Sequence, residues 1–106
     1  MSTYSAPIND IRFALHDVLK ADRLFADIGF ADATADIIDA VLEEAGRFTT
    51  SVLSPLNAIG DEVGCTLDKE TGEVATAPGF KEAYAQYVEG GWTGLTAAPE
   101  AGGQGM

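Results

Sequence analysis

Histidine, cysteine and basic residues are all scarce in this chain of 106 residues. His16 is the only histidine and Cys65 the only cysteine, so no disulfide can form within the chain. Zinc and di-iron sites need several His, Cys or Glu ligands, and no Glu-x-x-His pair occurs. We expect His16 to hydrogen-bond a carbonyl or to face solvent, and Cys65 to be a small buried thiol. The sequence therefore assigns no catalytic, cofactor-binding or metal-binding residue.

Positive charge is the second deficit. Six Lys and Arg face 17 Asp and Glu, which gives a formal net charge of −11. Nucleic-acid binding relies on Lys and Arg to release counterions from phosphates, and anionic membrane surfaces repel an acidic chain. Nucleic acid and membranes are therefore excluded as partners. The acids are spread from Asp10 to Glu100, as expected for a solvated acidic surface.

Long apolar runs are also missing, so no segment is expected to span a bilayer. The opening residues 1–5 carry no basic side chain, unlike a secretory signal or a transit peptide. We expect a cytoplasmic location. Hydrophobic residues make up 46% of the chain, which favours a single folded domain at 1–106 over a disordered tail.

Two loops resemble ligand-binding motifs only in part. In an EF-hand loop the sixth residue is Gly and the twelfth is Glu, but counting from Asp68 the glycine is fifth (Gly72) and the twelfth residue is Gly79. The glycine cluster at 102–105 lacks G-x-G-x-x-G spacing and a preceding strand. We expect turns at both places. No Gly-x-Ser-x-Gly elbow occurs.

Apolar periodicity predicts a mainly α fold with three amphipathic helices, at about residues 7–20, 33–60 and 78–90. In the second helix Thr34 is the expected N-cap, Pro55 is expected to introduce a kink, and Gly60 is expected to end it. Its apolar stripe is Ile38, Val41, Leu42, Ala45, Phe48, Val52, Leu56 and Ile59.

The first and third predicted helices also have an apolar stripe, and turn residues mark the segments between the helices. The stripe of the first helix is Ile8, Ile11, Leu15, Val18 and Leu19, and that of the third is Phe80, Tyr84, Tyr87 and Val88. A short helical turn is expected near Leu24 and Phe25, and a hairpin or structured loop at 63–76 with positive φ at Gly72. Because Ile37 and Leu53 widen the apolar arc of the second helix, we expect it to pack against something outside this chain.

Several blocks along the chain resemble the amino-terminal region of bacterial acyl-CoA dehydrogenases of the 3-methylmercaptopropionyl-CoA dehydrogenase-like subgroup. The blocks are Tyr4-x-Ala6-Pro7-Ile8-x-Asp10-Ile11-Arg12-Phe13-x-Leu15-His16-Asp17-Val18-Leu19, Asp32-Ala33-Thr34, Ala40-Val41-Leu42-Glu43-Glu44-Ala45-Gly46-Arg47-Phe48, Leu53-x-Pro55-Leu56-Asn57, Gly60-Asp61-x-x-Gly64-Cys65, Pro78-Gly79-Phe80-Lys81-Glu82-Ala83-Tyr84, Tyr87-Val88-Glu89-Gly90-Gly91-Trp92 and Pro99-Glu100-x-Gly102-Gly103-Gln104-Gly105. They cover nearly the whole chain in order.

The resemblance implies an amino-terminal extension at 1–30 and the start of the helical domain at 31–106. The family's enzymes use FAD to convert an acyl-CoA to a 2,3-enoyl-CoA and pass electrons to an electron-transfer flavoprotein. A middle β-domain and a later helical bundle, which carries the catalytic Glu, complete their site. No such residue maps onto this chain, so it is expected to be an incomplete piece, inactive alone, whose partner is the remainder of the dehydrogenase.

The alternative is a freestanding acidic helical module for protein interaction. Three helices are enough for a small fold, and the charge would keep it in solution. The sequence leaves self-association into a homo-oligomer open under both hypotheses.

Overall fold

The computed structural model describes residues 4–106 and is mainly helical, as predicted. Two π-helical segments, Phe13–Val18 and Thr49–Leu53, interrupt or extend the α-helices, and two 3-10 turns, Trp92–Gly94 and Pro99–Ala101, follow the last one. The α-helices are α1 (Ile8–Arg12), α2 (Ala21–Asp27), α3 (Ala35–Phe48), α4 (Ser54–Val63) and α5 (Phe80–Glu89), and the strands are β1 (Thr66–Leu67) and β2 (Val74–Ala75). None of the helices described is long and apolar enough to cross a membrane.

α3, the π-helical segment Thr49–Leu53 and α4 run on without a break and form one long helix, residues 35–63. Thr34 caps it as predicted, because its Oγ1 accepts a hydrogen bond from the Ile37 amide at 3.4 Å. The interruption predicted at Pro55 takes the form of the π-helical turn that precedes it. Proline lacks an N–H and crowds the carbonyl four residues earlier. The π-helical turn Thr49–Leu53 contains that position, so the helix widens where the proline disrupts its hydrogen bonds.

The predicted end of this helix at Gly60 is wrong. The helix continues to Val63, and Gly64 stops it with φ at +65°. Gly60 instead provides room for a neighbour, since a Cβ placed there would lie 2.8 Å from Cζ of Phe80 on α5. Its missing side chain therefore serves helix packing rather than termination.

The hairpin predicted at 63–76 is present. β1 and β2 pair antiparallel with Thr66 opposite Ala75 and Leu67 opposite Val74. The turn between them reverses at Gly72, whose φ of +75° only glycine adopts without strain.

The segment near Leu24, expected to be a single turn, forms the two-turn helix α2.

α1 and the π-helical segment Phe13–Val18 are continuous, and we call residues 8–18 the first helical segment. This segment packs on α3. Gly46 of α3 is buried beneath it, and a Cβ on Gly46 would lie 3.1 Å from Cδ1 of Ile8. The inner stripe of the long helix is confirmed, because Ile38 is buried and its seven other members are half-buried.

Other apolar stripes are not covered, contrary to the burial expected of them. Val18 and Leu19 of the first stripe are exposed, as are Phe80, Tyr84, Tyr87 and Val88 of the third. Among residues 4–106 the buried apolar side chains are Ala21, Ala33, Ile38, Ala77 and Ala83. Four of these five are alanines, so the chain encloses very little apolar volume.

The dimensions of the molecule explain this exposure. It measures 55 × 36 × 17 Å, and its shortest dimension is little more than the roughly 10–12 Å diameter of one helix with its side chains. The accessible surface is 7790 Å², whereas a compact monomer of 11.1 kDa exposes about 5,700 Å². The fold is a thin layer of helices with about 2,000 Å² more surface than a closed domain of its mass.

Candidate interaction surfaces

His16 contacts a carboxylate, so the expectation of a carbonyl partner or a solvent-facing ring is wrong. Its Nε2 donates to Oδ1 of Asp39 at 2.7 Å, and Nη2 of Arg12 donates to Oδ2 of the same side chain at 3.0 Å. The π-helical segment carries His16 and α1 carries Arg12, while Asp39 lies on α3. The three side chains therefore link the first helical segment to the long helix.

The environment of Asp39 stabilises its charged form. The hydrogen bond from His16 is the main cause that lowers the pKa of Asp39, and the charges of Arg12 and His16 act in the same direction against partial burial. The amphipathic pattern placed Asp39 on the polar side of its helix. The structure shows that the first helical segment covers part of that polar side.

Asp68 organises the hairpin turn. Its Oδ1 accepts hydrogen bonds from the amides of Glu70 at 2.9 Å and Thr71 at 3.3 Å, and these bonds lower the pKa of Asp68. The carboxylate is thus occupied within its own turn. Across residues 4–106 no group of three or more His, Cys, Asp or Glu side chains is placed to hold a metal ion.

Cys65 is exposed, and the expectation of a buried thiol is wrong. It follows Gly64 at the end of the long helix, where the chain turns away toward β1. Beside it lies an open groove of about 410 Å³, whose walls include Asn57 and Phe80. A small thiol is buried only where a second layer covers it, and this edge of the molecule has none.

The glycine cluster at 102–105 forms a tight turn, as expected, and it closes back on the segment before it. Gln104 N donates to the Gly94 carbonyl at 2.9 Å, and Met106 N donates to that of Leu95 at 3.0 Å. At Gly103 a Cβ would overlap the Ala97 carbonyl oxygen at 2.1 Å. Gly103 and Gly105 pack against Ala97 and Pro99, and together with these backbone bonds they make residues 94–106 a well-defined wall.

This wall and α3 enclose an open groove of about 460 Å³, which we call the α3 groove. Among the described side chains that line it, the charged ones are the carboxylates Asp32 and Glu44. Its apolar lining is Ile37, Ala40, Val41, Trp92, Leu95 and Met106. Ile37, one of the two residues that widen the predicted apolar arc of the long helix, is 46% exposed.

A second apolar surface lies between the long helix and α5, and we call it the aromatic face. The Tyr87 ring packs 6.2 Å from that of Phe48 and 6.4 Å from that of Tyr84. It encloses an open groove of about 380 Å³, lined by Leu53, Leu56, Asn57, Phe80, Ala83, Tyr84 and Tyr87. Tyr84 is 66% and Leu53 42% exposed, so large apolar groups face water here. Exposed apolar patches of this kind mark surfaces that another protein element covers.

Comparison with known proteins confirms the resemblance to acyl-CoA dehydrogenases. The chain is 38% identical over 104 residues to the 3-methylmercaptopropionyl-CoA dehydrogenase of Ruegeria pomeroyi. The match covers 98% of this chain but only 17% of that enzyme. No protein-family model matches. Almost the whole chain is thus similar to part of that enzyme, and it spans about a sixth of the enzyme's length.

Proposed function

We propose that this chain is the amino-terminal helical part of an FAD-dependent acyl-CoA dehydrogenase, not competent alone, that docks against the rest of the enzyme. The parent would carry out α,β-dehydrogenation of an acyl-CoA thioester in the cytoplasm and pass electrons to an electron-transfer flavoprotein. The observation that carries the proposal is the match of almost the whole chain to about a sixth of such an enzyme. Residues 1–30 form the amino-terminal extension and 31–106 the start of the helical domain.

The residues described do not fit a flavin site on their own. Two glycines of the 102–105 cluster are occupied by internal packing, Gly103 against Ala97 and Gly105 against Pro99. A net charge of −11 opposes the binding of a pyrophosphate. Among residues 4–106 no buried side-chain polar atom lacks a hydrogen-bond partner. Flavin binding and the proton-abstracting base are therefore assigned to other parts of the parent.

The architecture supports a docking role over the freestanding module. A freestanding domain must bury enough apolar surface to offset the entropy of ordering its chain. This chain buries few side chains larger than alanine and leaves both the α3 groove and the aromatic face open. Its excess of about 2,000 Å² is more than the roughly 800 Å² that one partner buries in a standard protein interface.

The experiment begins with the DNA downstream of codon 106 in the source genome. We expect an open reading frame that encodes the rest of a dehydrogenase, and the whole polypeptide to bind FAD and oxidise acyl-CoA thioesters. Deletion of residues 1–106 should abolish activity. A complete polypeptide without flavin, or a stop codon after Met106 with no restorable frame, would contradict the proposal.

The freestanding module makes the opposite prediction for the isolated chain. It requires a cooperative thermal transition and little binding of a hydrophobic dye. The docking proposal requires strong dye binding, because the apolar surfaces stay open.

A further inference from the structure

The α3 groove is lined by apolar side chains on two different walls. Ile37 and Val41 come from α3, and Trp92 and Leu95 from the segment that follows α5. Both walls are held in place, one by helical hydrogen bonds and the other by the backbone bonds that Gln104 and Met106 make to residues 94 and 95. The groove is therefore a preformed concave surface, which is the usual character of a binding site.

Charge at the groove restricts what can fill it. Asp32 and Glu44 line it, and no Lys, Arg or His does. Glu44 already pairs with Arg47, but Asp32 has no cationic side chain within 4.0 Å among residues 4–106. An occupant that brings a Lys or Arg toward Asp32 gains an ion pair, and one that brings a carboxylate is repelled.

The same argument rejects a second copy of this chain. Each copy carries a net charge of −11, so two copies repel each other as they approach. Like charges brought together at an interface are unfavourable. The chain as a whole exposes about 2,000 Å² beyond that of a compact monomer, an excess that a polypeptide can cover and a small molecule cannot. These requirements favour a polypeptide of opposite charge.

We propose that the α3 groove receives a segment of the parent polypeptide that presents apolar side chains beside a Lys or Arg, with the cation directed at Asp32. The inference rests on the proposed function in naming the parent as the source of the segment. The chemistry of the groove itself can be tested without the parent.

Trp92 provides the measurement for the groove, since it is the only tryptophan in the chain and lines this surface. The probes are an amphipathic helical peptide of Leu and Lys and a matched peptide of Leu and Glu. The Leu/Lys peptide should shift Trp92 emission to shorter wavelength and saturate, and the Leu/Glu peptide should not. Equal responses to both peptides, or none to either, would overturn the proposal.

Matched variants locate the peptide on the chain. Ile37→Lys lies in the groove, whereas Ile28→Lys changes a side chain that is 66% exposed and outside the groove lining. Asp32→Lys and Asp27→Lys make the same change in net charge, but only the first alters the groove. The two groove variants should bind the Leu/Lys peptide about tenfold more weakly, which is about 1.4 kcal/mol, and their controls should bind normally. If a groove variant and its control bind the Leu/Lys peptide equally weakly, general charge attraction explains the binding and the peptide does not occupy the groove.

The source of the segment is tested in the complete polypeptide. There Ile37→Lys should lower the Tm by several degrees relative to Ile28→Lys, because the groove is filled. If the complete enzyme is active and the two variants have the same Tm, the segment that fills the groove does not come from the parent. A complete polypeptide without dehydrogenase activity would instead refute the proposed function, and the peptide experiment would still decide the chemistry of the groove.

Discussion

Phe80 lies against the long helix at Gly60, one of the two glycines in that helix. A Cβ at Gly60 would lie 2.8 Å from Cζ of the Phe80 ring and 3.2 Å from Cε2. This contact places α5 beside α4 and fixes one edge of the aromatic face. The geometry explains why glycine is present inside a helix, where it is otherwise unfavourable by about 1 kcal/mol relative to alanine.

Gly60→Ala should therefore destabilise the chain although alanine is the better helix former. The gain in helix propensity is about 1 kcal/mol, and the cost of forcing Phe80 aside is about 1–3 kcal/mol for an overpacked contact. The measurement is the urea midpoint of the helical circular dichroism signal. In the Phe80→Ala background, where the obstructing ring is absent, the same substitution should become neutral or stabilising. A destabilisation of equal size in both backgrounds would show that Phe80 is not the cause.

Cys65 should react with a thiol reagent such as dithionitrobenzoate without denaturant, because its side chain is exposed. The expected rate in the native chain is close to the rate in urea. A thiol that reacts only after unfolding would mean that Cys65 is covered. In the proposed parent polypeptide, a slower rate would show that the parent covers this edge.

The helices and the hairpin could be predicted from sequence because their signals are local. Apolar residues three and four apart define the long helix, Thr34 marks its start, and the glycine at position 72 marks the hairpin turn. Each signal depends on residues that are neighbours in the chain. Local propensity therefore agrees with the observed elements.

Apart from the length of α2, the errors concern contacts between distant residues. Gly60 has the sequence appearance of a helix terminator, and only the ring of Phe80 on another helix reveals its role. His16 has its partner 23 residues away, at Asp39. Exposure of Cys65 was missed for a related reason, since an apolar pattern indicates which face can be buried but not whether this chain supplies the covering layer.

The turn of the hairpin should depend on the Asp68 carboxylate. Asp68→Ala removes the acceptor of the Glu70 and Thr71 amides, so hydrogen exchange at these two amides should become severalfold faster. Asp68→Asn keeps one oxygen acceptor and should preserve most of the protection. Exchange is measured residue by residue by NMR. Unchanged rates in the alanine variant would show that the side chain does not hold the turn.

Asp39 should make the docking of the first helical segment depend on pH. Its pKa is lowered from an ordinary value of 3.8, chiefly by the His16 hydrogen bond, so the folded state favours the charged carboxylate. A group with a depressed pKa contributes stability that is fully present above its ordinary pKa. That contribution is lost as the pH falls through the lowered value. The wild-type chain should therefore unfold at higher urea than Asp39→Asn at pH 7, and the difference should shrink below pH 4.

The control for this experiment removes a carboxylate that makes no ion pair within 4.0 Å among the described residues. Asp17 is exposed on the same π-helical segment as His16, so Asp17→Asn changes net charge equally without touching the link. Its difference from wild type should stay small and nearly constant from pH 7 to pH 3. If the difference between Asp39→Asn and wild type is also small and independent of pH, overall charge rather than the contacts with Arg12 and His16 sets the stability. A gap confined to Asp39→Asn that closes on acidification identifies this carboxylate as the group that holds the first helical segment on the long helix.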